Sequence, residues 1–337
     1  MLTACSATAE PGSVRGALTA VGAGTGQRAM DGWRDGWVKE NKRVSLAFSP
    51  DGADVGKKAL FSGTAYFAVT DAPLTTGDIS DSKAFCGPQG AFAVPTAIIP
   101  IAVAYNLGNV KDLHLDAESL AGIFSGDITN WRDARIVAQN PHISIPDRKI
   151  VPIHADEPSA LTAAFTAYLN KNDAGDLSRS PGDTLPDDTA GRRVDKLSDL
   201  PQALDDTAGS IGFTDRASIG TRFSTAQLKF GSSYGKMTDD ALDASVAAGQ
   251  LSATAGGVSI SLGDTDQAYA LGAINYQVFC HQYQPEALAT LVQSWAKYVL
   301  SDSGQRAAAN SAAATSPGPA AVASSLRLVD AITVGGR

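Results

Sequence analysis

From Phe92 to Tyr105 the chain reads FAVPTAIIPIAVAY, a run too apolar and too rich in β-branched residues for a surface element. Pro95 and Pro100 lack the N–H that a helix interior needs and would break it, so the run is expected to be a long bent strand crossing between two lobes. Both prolines fall within the longest apolar stretch, Ala91 to Tyr105. No uninterrupted run reaches the ~18 apolar residues of a spanning helix, and none is expected.

On either side, strand and helix periods alternate. Ala17 to Val21 reads as a short strand ending in the turn Gly22-Ala23-Gly24-Thr25-Gly26, after which Ala29, Met30, Trp33 and Trp37 mark one helix face. Val44 to Phe48 is a second strand, Ser49-Pro50-Asp51-Gly52 a turn, and Val55 to Leu60 the start of a second helix. Tyr66 to Val69 is another strand, closed by Thr70-Asp71-Ala72-Pro73-Leu74. Beyond the crossing, Asp116 caps a helix with Leu120, Ile123 and Phe124 inward, Ile150 to His154 is a strand, and Ser159 caps a helix carrying Leu161, Ala164, Phe165 and Tyr168.

Asn170 to Arg193 reads as loop, Ser210 to Thr214 as a strand, and Gly231 to Gly263 holds a helical patch with no evident placement. Ala270 to Cys280 alternates as a return crossing, and Leu288, Leu291, Val292, Trp295 and Val299 stripe the helix after it. Residues 307–323 are rich in Ala, Ser and Pro and are expected to be an irregular surface segment before a short helix from Ser324 to Ile332. The alternation predicts α/β layers around a mainly parallel sheet. No internal repeat is present.

A chain of 337 residues with 44% hydrophobic and 18% charged residues is that of a soluble globular protein with room for two lobes. A net charge of -8 without a Lys/Arg cluster argues against nucleic acid as a partner. There is no G-x-S-x-G elbow and no His/Cys cluster with metal spacing, so an enzyme, a metal and a cofactor are not expected. His154, Asp156 and Ser159 lie too close together in sequence to converge as base, orienter and nucleophile.

Leu2-Thr3-Ala4-Cys5 looks like the cleavage box of a bacterial lipoprotein, though the basic and apolar segments that precede such a box are missing. It points to a precursor trimmed or started late, with Cys5 as a lipid-bearing N-terminus and residues 1–13 as a tether. Set Cys5 aside and Cys86 and Cys280 remain. They are either a disulfide of an exported protein or two buried thiols.

AFAVPTAIIPIAVAYN followed by LDAESLAGIFSGDITNWRDARIVAQNPHISIPDRKIVPIHADEPSALTAAFTAYL resembles the phosphate-binding proteins that feed phosphate ABC importers. The resemblance covers about 80 residues, Ala91 to Leu169. It implies an α/β fold of the two-lobed type II periplasmic-binding-protein class, a clamshell of mixed sheets flanked by helices. Lobe I would take 14–93 plus 275–337 and lobe II 94–274, in an extracytoplasmic monomer that is either anchored by lipid to the outer face of the cell membrane or periplasmic. Its partners would be phosphate or another small anion and a membrane permease, with the anion held where amide-lined turns of both lobes face a shared cleft.

Carried over position by position, Thr25 and Gly26 match the family's first donor turn, and Asp71 its aspartate that accepts the phosphate's own proton and so rejects sulfate. Two turns depart. Asp51 stands where a serine donor is expected, and His154-Ala155-Asp156-Glu157-Pro158-Ser159 has His154 in place of an arginine and lacks the family's Ser-Gly-Thr run. Like charges at about 4 Å repel by roughly 4 kcal/mol at an effective dielectric near 20, and a lost charge-assisted hydrogen bond forfeits about 1.5 to 3 kcal/mol. Asp51 escapes that penalty if it caps the next helix, and His154 compensates if its pKa rises beside acidic residues.

The expected ligand set is thus Thr25, Gly26, Asp51, Asp71, His154 and Ser159. Taken singly, Asp51 and Ser159 also read as helix caps, and Thr25 and Asp71 as turn residues. The alternative function is a degenerate homologue with an altered ligand or none, acting as a sensory or interaction module.

Overall fold

The structure, a computed structural model, describes residues 14–172 and 182–335. It divides into two compact units. Unit 1 takes the described residues up to Ile98, Leu251–Ile260 and those from Ile274 onward; unit 2 takes Ile99–Gln250 and Ser261–Ala273.

Unit 1 opens with β1 (Gly16–Gly22), α1 (Gln27–Glu40), β2 (Val44–Ser49), α2 (Ala53–Phe61), β3 (Phe67–Thr70) and α3 (Thr76–Cys86). β1 lies parallel between β2 and β3, with Leu18 opposite Leu46 and Val21 opposite Ala68. Ala29, Met30, Trp33 and Trp37 of α1 are all buried, as their helical spacing requires. β4 (Ala91–Tyr105) is buried at every position and runs out of unit 1 into unit 2 after Ile98.

Unit 2 continues with β5 (His114–Leu115), α4 (Ala117–Ser125), α5 (Ala134–Gln139), β6 (Val151–Ala155), α6 (Ala160–Lys171), β7 (Arg192–Val194), α7 (Leu200–Asp205), β8 (Ser210–Asp215), α8 (Arg216–Ile219), β9 (Ser224–Thr225), β10 (Gln227–Phe230), β11 (Ser233–Gly235) and α9 (Asp239–Ala247). Its main sheet is mixed. β8 is antiparallel to β4, β6 is parallel to β8, and β7 is parallel to β6. Phe124, Phe165 and Phe213 pack together, Phe165 stacked on Phe213 at 4.1 Å. The segment Ser125 to Trp131 is scaffold: Gly126 ends α4 in the left-handed region, and the buried Trp131 indole donates to the Gly209 carbonyl at 3.0 Å.

The chain then returns through β12 (Leu251–Thr254), β13 (Gly257–Ile260), β14 (Gly272–Cys280), β15 (Gln282–Tyr283), α10 (Glu286–Leu300), α11 (Asp302–Ala312), α12 (Pro319–Asp330) and β16 (Thr333–Val334). β14 pairs antiparallel with β3, Gln277 opposite Val69. Trp295 of α10 stacks on Phe67 at 5.5 Å, meets the edge of Trp37 at 5.3 Å, and donates its indole N–H to Gln277 Oε1 at 2.8 Å. Aromatic area on this scale dominates a core, and its single polar atom is satisfied. Cys86, at the end of α3, and Cys280, at the end of β14, are joined in a buried disulfide.

Four expectations change. Residues 307–323 are not irregular: α11 and α12 cover most of them, because alanine is the best helix former and small side chains let α11 press on α1, where the Trp33 indole donates to the Gly304 carbonyl at 2.9 Å. Arg192 and Arg193, read as loop, begin β7; residues 173–181 of that region lie outside the described residues. Gly231 to Gly263 resolves into β11, α9 and the β12–β13 hairpin. That hairpin belongs to unit 1 rather than to 94–274, since Gly257 pairs with Ala93 of β4.

Replacing both Cys86 and Cys280 with alanine removes a cross-link between residues 194 apart in sequence. We expect about 2–5 kcal/mol of lost stability, read as a lower guanidinium midpoint than the oxidised parent; equal midpoints would show that the bridge contributes nothing.

Candidate functional site

The carboxyl ends of β1 and β3 meet because Gly22 has no side chain: a Cβ there would collide with the Val69 backbone. This close approach lets the Ala23 N–H bond the Val69 carbonyl at 2.9 Å, and the turn that follows delivers Thr25 to Asp71. Thr25 Oγ1 donates to Asp71 Oδ2 at 3.4 Å. Asp71 Oδ1 is buried and has no hydrogen-bond partner among the described residues. α1 begins at Gly26 without a side-chain cap. A buried acceptor, a hydroxyl and an uncapped helix N-terminus therefore adjoin in unit 1, a combination suited to a partly protonated anion.

Burial pushes the Asp71 carboxyl up to about 7, with the Thr25 hydrogen bond opposing it. Sequence reasoning missed Asn275 of β14. It is fully buried, its Nδ2 has no partner, and a Cβ on Gly26 would lie 2.6 Å from that atom. No spacing rule singles it out, because it sits as one polar residue in an alternating strand.

Asp51 is exposed and does not cap α2. The cap is Gly52, in a positive-φ conformation, while Asp51 Oδ2 accepts from Ser49 Oγ at 2.6 Å. A side-chain hydrogen bond from Ser49 takes the place of the expected helix cap.

In unit 2, Ser159 is the N-cap of α6, and its hydroxyl oxygen accepts from the amides of Leu161 and Thr162, both at 3.1 Å. Those amides are the ones a helix-bound anion would otherwise use. His154 is 1% exposed and neither ring nitrogen makes a hydrogen bond of good geometry. Its pKa is lowered, first by burial and then by the Arg193 guanidinium, against smaller raising effects of Asp156 and the Thr189 backbone. The expectation of a cationic His154 is thus overturned: desolvation of an enclosed imidazole outweighs its acidic neighbour. The cation here is Arg193, opposite His154 in the β6–β7 pair and 3.4 Å from Asp156. Sequence reading missed it because it lay in a segment taken as loop.

Cys5 lies outside the described residues. Among the described residues no group of three or more His, Cys, Asp or Glu has metal-holding geometry, and no helix is long and apolar enough to cross a membrane.

The Asp71 environment makes the empty protein's stability pH-dependent. A folded pKa above the usual 3.8 means the native state holds the proton more tightly, so this contribution is present at low pH and is lost as pH rises toward 7. Asp71→Asn should flatten that decline, its urea midpoint gaining on the parent at pH about 8 relative to pH about 4; parallel profiles would contradict the buried carboxyl.

Comparison with known proteins agrees with this architecture. Residues 7–303 match the family model described as PBP superfamily domain. The phosphate-binding protein PstS 3 of Mycobacterium tuberculosis is 24% identical over 262 residues, 74% of this chain and 70% of that protein. PstS 2 of the same organism is 24% identical over 279 residues, 80% of this chain and 75% of the relative. Among solved structures, the periplasmic phosphate-binding protein PfluDING bound with phosphate superposes with a TM-score of 0.69 at 17% identity, covering 91% of this chain and 92% of that one. A phosphate binding protein from Stenotrophomonas maltophilia gives 0.67 at 16% identity, with 93% of each chain covered. With the family model spanning most of its length, the chain belongs to the PBP superfamily.

Proposed function

We propose that this chain is an extracytoplasmic solute-binding protein that captures phosphate and delivers it to an ABC importer. The observation that carries the reading is Asp71, a buried carboxyl poised near neutrality with one oxygen unpartnered, beside the Thr25 hydroxyl and the uncapped start of α1. Near neutral pH phosphate carries an O–H and sulfate does not. A carboxylate at this place accepts that proton from phosphate and repels sulfate, and the protonated acid donates to a bare phosphate oxygen; in either case one proton lies between Asp71 and the ligand. The PstS relatives and the phosphate-bound PfluDING structure support phosphate as the anion.

Thr25 and Gly26 supply the hydroxyl and amide of this seat. Asp51, exposed and tied to Ser49, stays outside it. In unit 2, His154 and Ser159 remain candidate contacts of their own turn, with Arg193 as its cation. The protein acts as a monomer held to the outer face of the membrane by a lipid on Cys5. No catalytic step belongs to this reading. The alternative, a sensory or interaction module without a ligand, draws on one observation: the α6 amides are already satisfied by Ser159.

Equilibrium dialysis with labelled phosphate separates the two. Saturable binding with Kd of about 1 μM or tighter is expected, and no binding up to about 1 mM would overturn the transport reading. Asp71→Asn should lower the preference for phosphate over sulfate by about 10- to 100-fold and flatten its pH dependence; unchanged selectivity would remove Asp71 from the seat.

A further inference from the structure

We infer that Asn275 is a ligand contact and specificity determinant of the unit 1 seat, its Nδ2 donating to an unprotonated oxygen of the anion while Asp71 holds the protonated one. This rests on the anion seat described above and adds to it a second side chain that reads protonation. Buried side-chain polar atoms without partners are rare and costly to leave orphaned. Among the described residues, Asp71 Oδ1 and Asn275 Nδ2 are two such atoms, one an acceptor and the other a donor.

Asn275 lies in β14 and Asp71 directly follows β3; the antiparallel ladder between these strands ends at Tyr276 opposite Thr70, one residue from each. The Gly26 contact fixes where the amide sits. Nδ2 is the nearest atom to a Cβ built on Gly26, the residue after the Thr25 whose hydroxyl reaches Asp71. A side chain on Gly26 would occupy the amide's place, so glycine here keeps the donor beside the start of α1.

The orientation of the amide follows from its other end. Thr96 Oγ1 donates to Asn275 Oδ1 at 3.0 Å and lies 3.2 Å from the Asn275 backbone carbonyl, which ties the oxygen away and leaves Nδ2 as the unpartnered atom. The reversed amide would set a second acceptor beside Asp71, leaving an anion with acceptors only. As assigned, the seat offers one group for an O–H and one for an O⁻. That pattern fits a partly protonated tetrahedral oxyanion and disfavours one that carries no proton.

The test is phosphate and sulfate binding by calorimetry on the full chain. Asn275→Asp keeps an oxygen for Thr96 and turns the donor into a charged acceptor; phosphate affinity is expected to fall at least 100-fold at pH about 8 and to recover in part at pH about 5 as the new carboxyl protonates. Asn275→Ala, which deletes the donor without adding charge, should cost about 10-fold with no such recovery, and it decides the matter if the aspartate variant does not fold. Thr96→Val loosens the tether but keeps the donor and should cost less than the alanine variant. If the parent binds phosphate and both Asn275 variants match it, Asn275 is not a contact and the seat at Asp71 stands without it. A parent that binds no phosphate would overturn the seat and this assignment together.

Discussion

The absence of a side chain at Gly22 is the constraint on which unit 1's chemistry depends. Parallel strands β1 and β3 close up there until the Ala23 amide reaches the Val69 carbonyl, and Thr25 and Asp71 follow within a few residues of that contact. The turn leaving β1 can carry Thr25 only as far as the tight strand spacing allows, and that distance is what brings its hydroxyl to Asp71. β14 then lies against the other side of β3 and supplies Asn275. Binding groups at the carboxyl ends of strands are a general property of open α/β sheets, because there the helices start and the backbone must turn. In this protein the general rule takes a specific form, in which strand pairing sets the separation between a carboxyl and a carboxamide.

Electrostatics act at short range here. A net charge of -8 gives an approaching anion no attraction from the molecule as a whole, and screening confines surface charges to about 8–10 Å in physiological salt. Affinity has to come from enclosed groups. In the proposed seat an Asp71 carboxyl pushed up to about 7 by burial is still charged in part near neutral pH, and as a strong proton acceptor it favours a ligand that carries an O–H. The desolvation that makes Asp71 costly in the empty protein is therefore the property that makes it useful to a protonated ligand.

Much of the fold was legible from the sequence because it rests on periodicity and on prolines. The α1 face of Ala29, Met30, Trp33 and Trp37, the Phe92 to Tyr105 strand and the caps Asp116 and Ser159 all appear where spacing and turn chemistry put them. Composition misled at α11, where Ala and Ser in 307–312 form a close-packing helix face rather than low-complexity surface. The site was legible only in part. In unit 1 Thr25 and Asp71 stand in recognisable turns, whereas Asn275 of β14, and in unit 2 Arg193 of β7, sit in strands whose long-range pairing leaves no local mark.

Unit 2 shows how a lost residue type changes the local chemistry rather than merely weakening it. Burial lowers the pKa of the enclosed imidazole at position 154, and the guanidinium of this turn is Arg193 on the neighbouring strand, where it meets Asp156. That ion pair is partly exposed and contributes little stability, about 0–1 kcal/mol, so it is not maintained as a structural clamp of any strength. The same guanidinium also donates to the Asp187 carbonyl and lies 3.9 Å from the Asp187 carboxylate, so Arg193 is shared between two acidic residues. Ser159 meanwhile satisfies the first amides of α6, which shifts the donor capacity of the turn from backbone to side chains. Backbone amides favour any anion at a helix start, whereas an arginine fork selects by geometry.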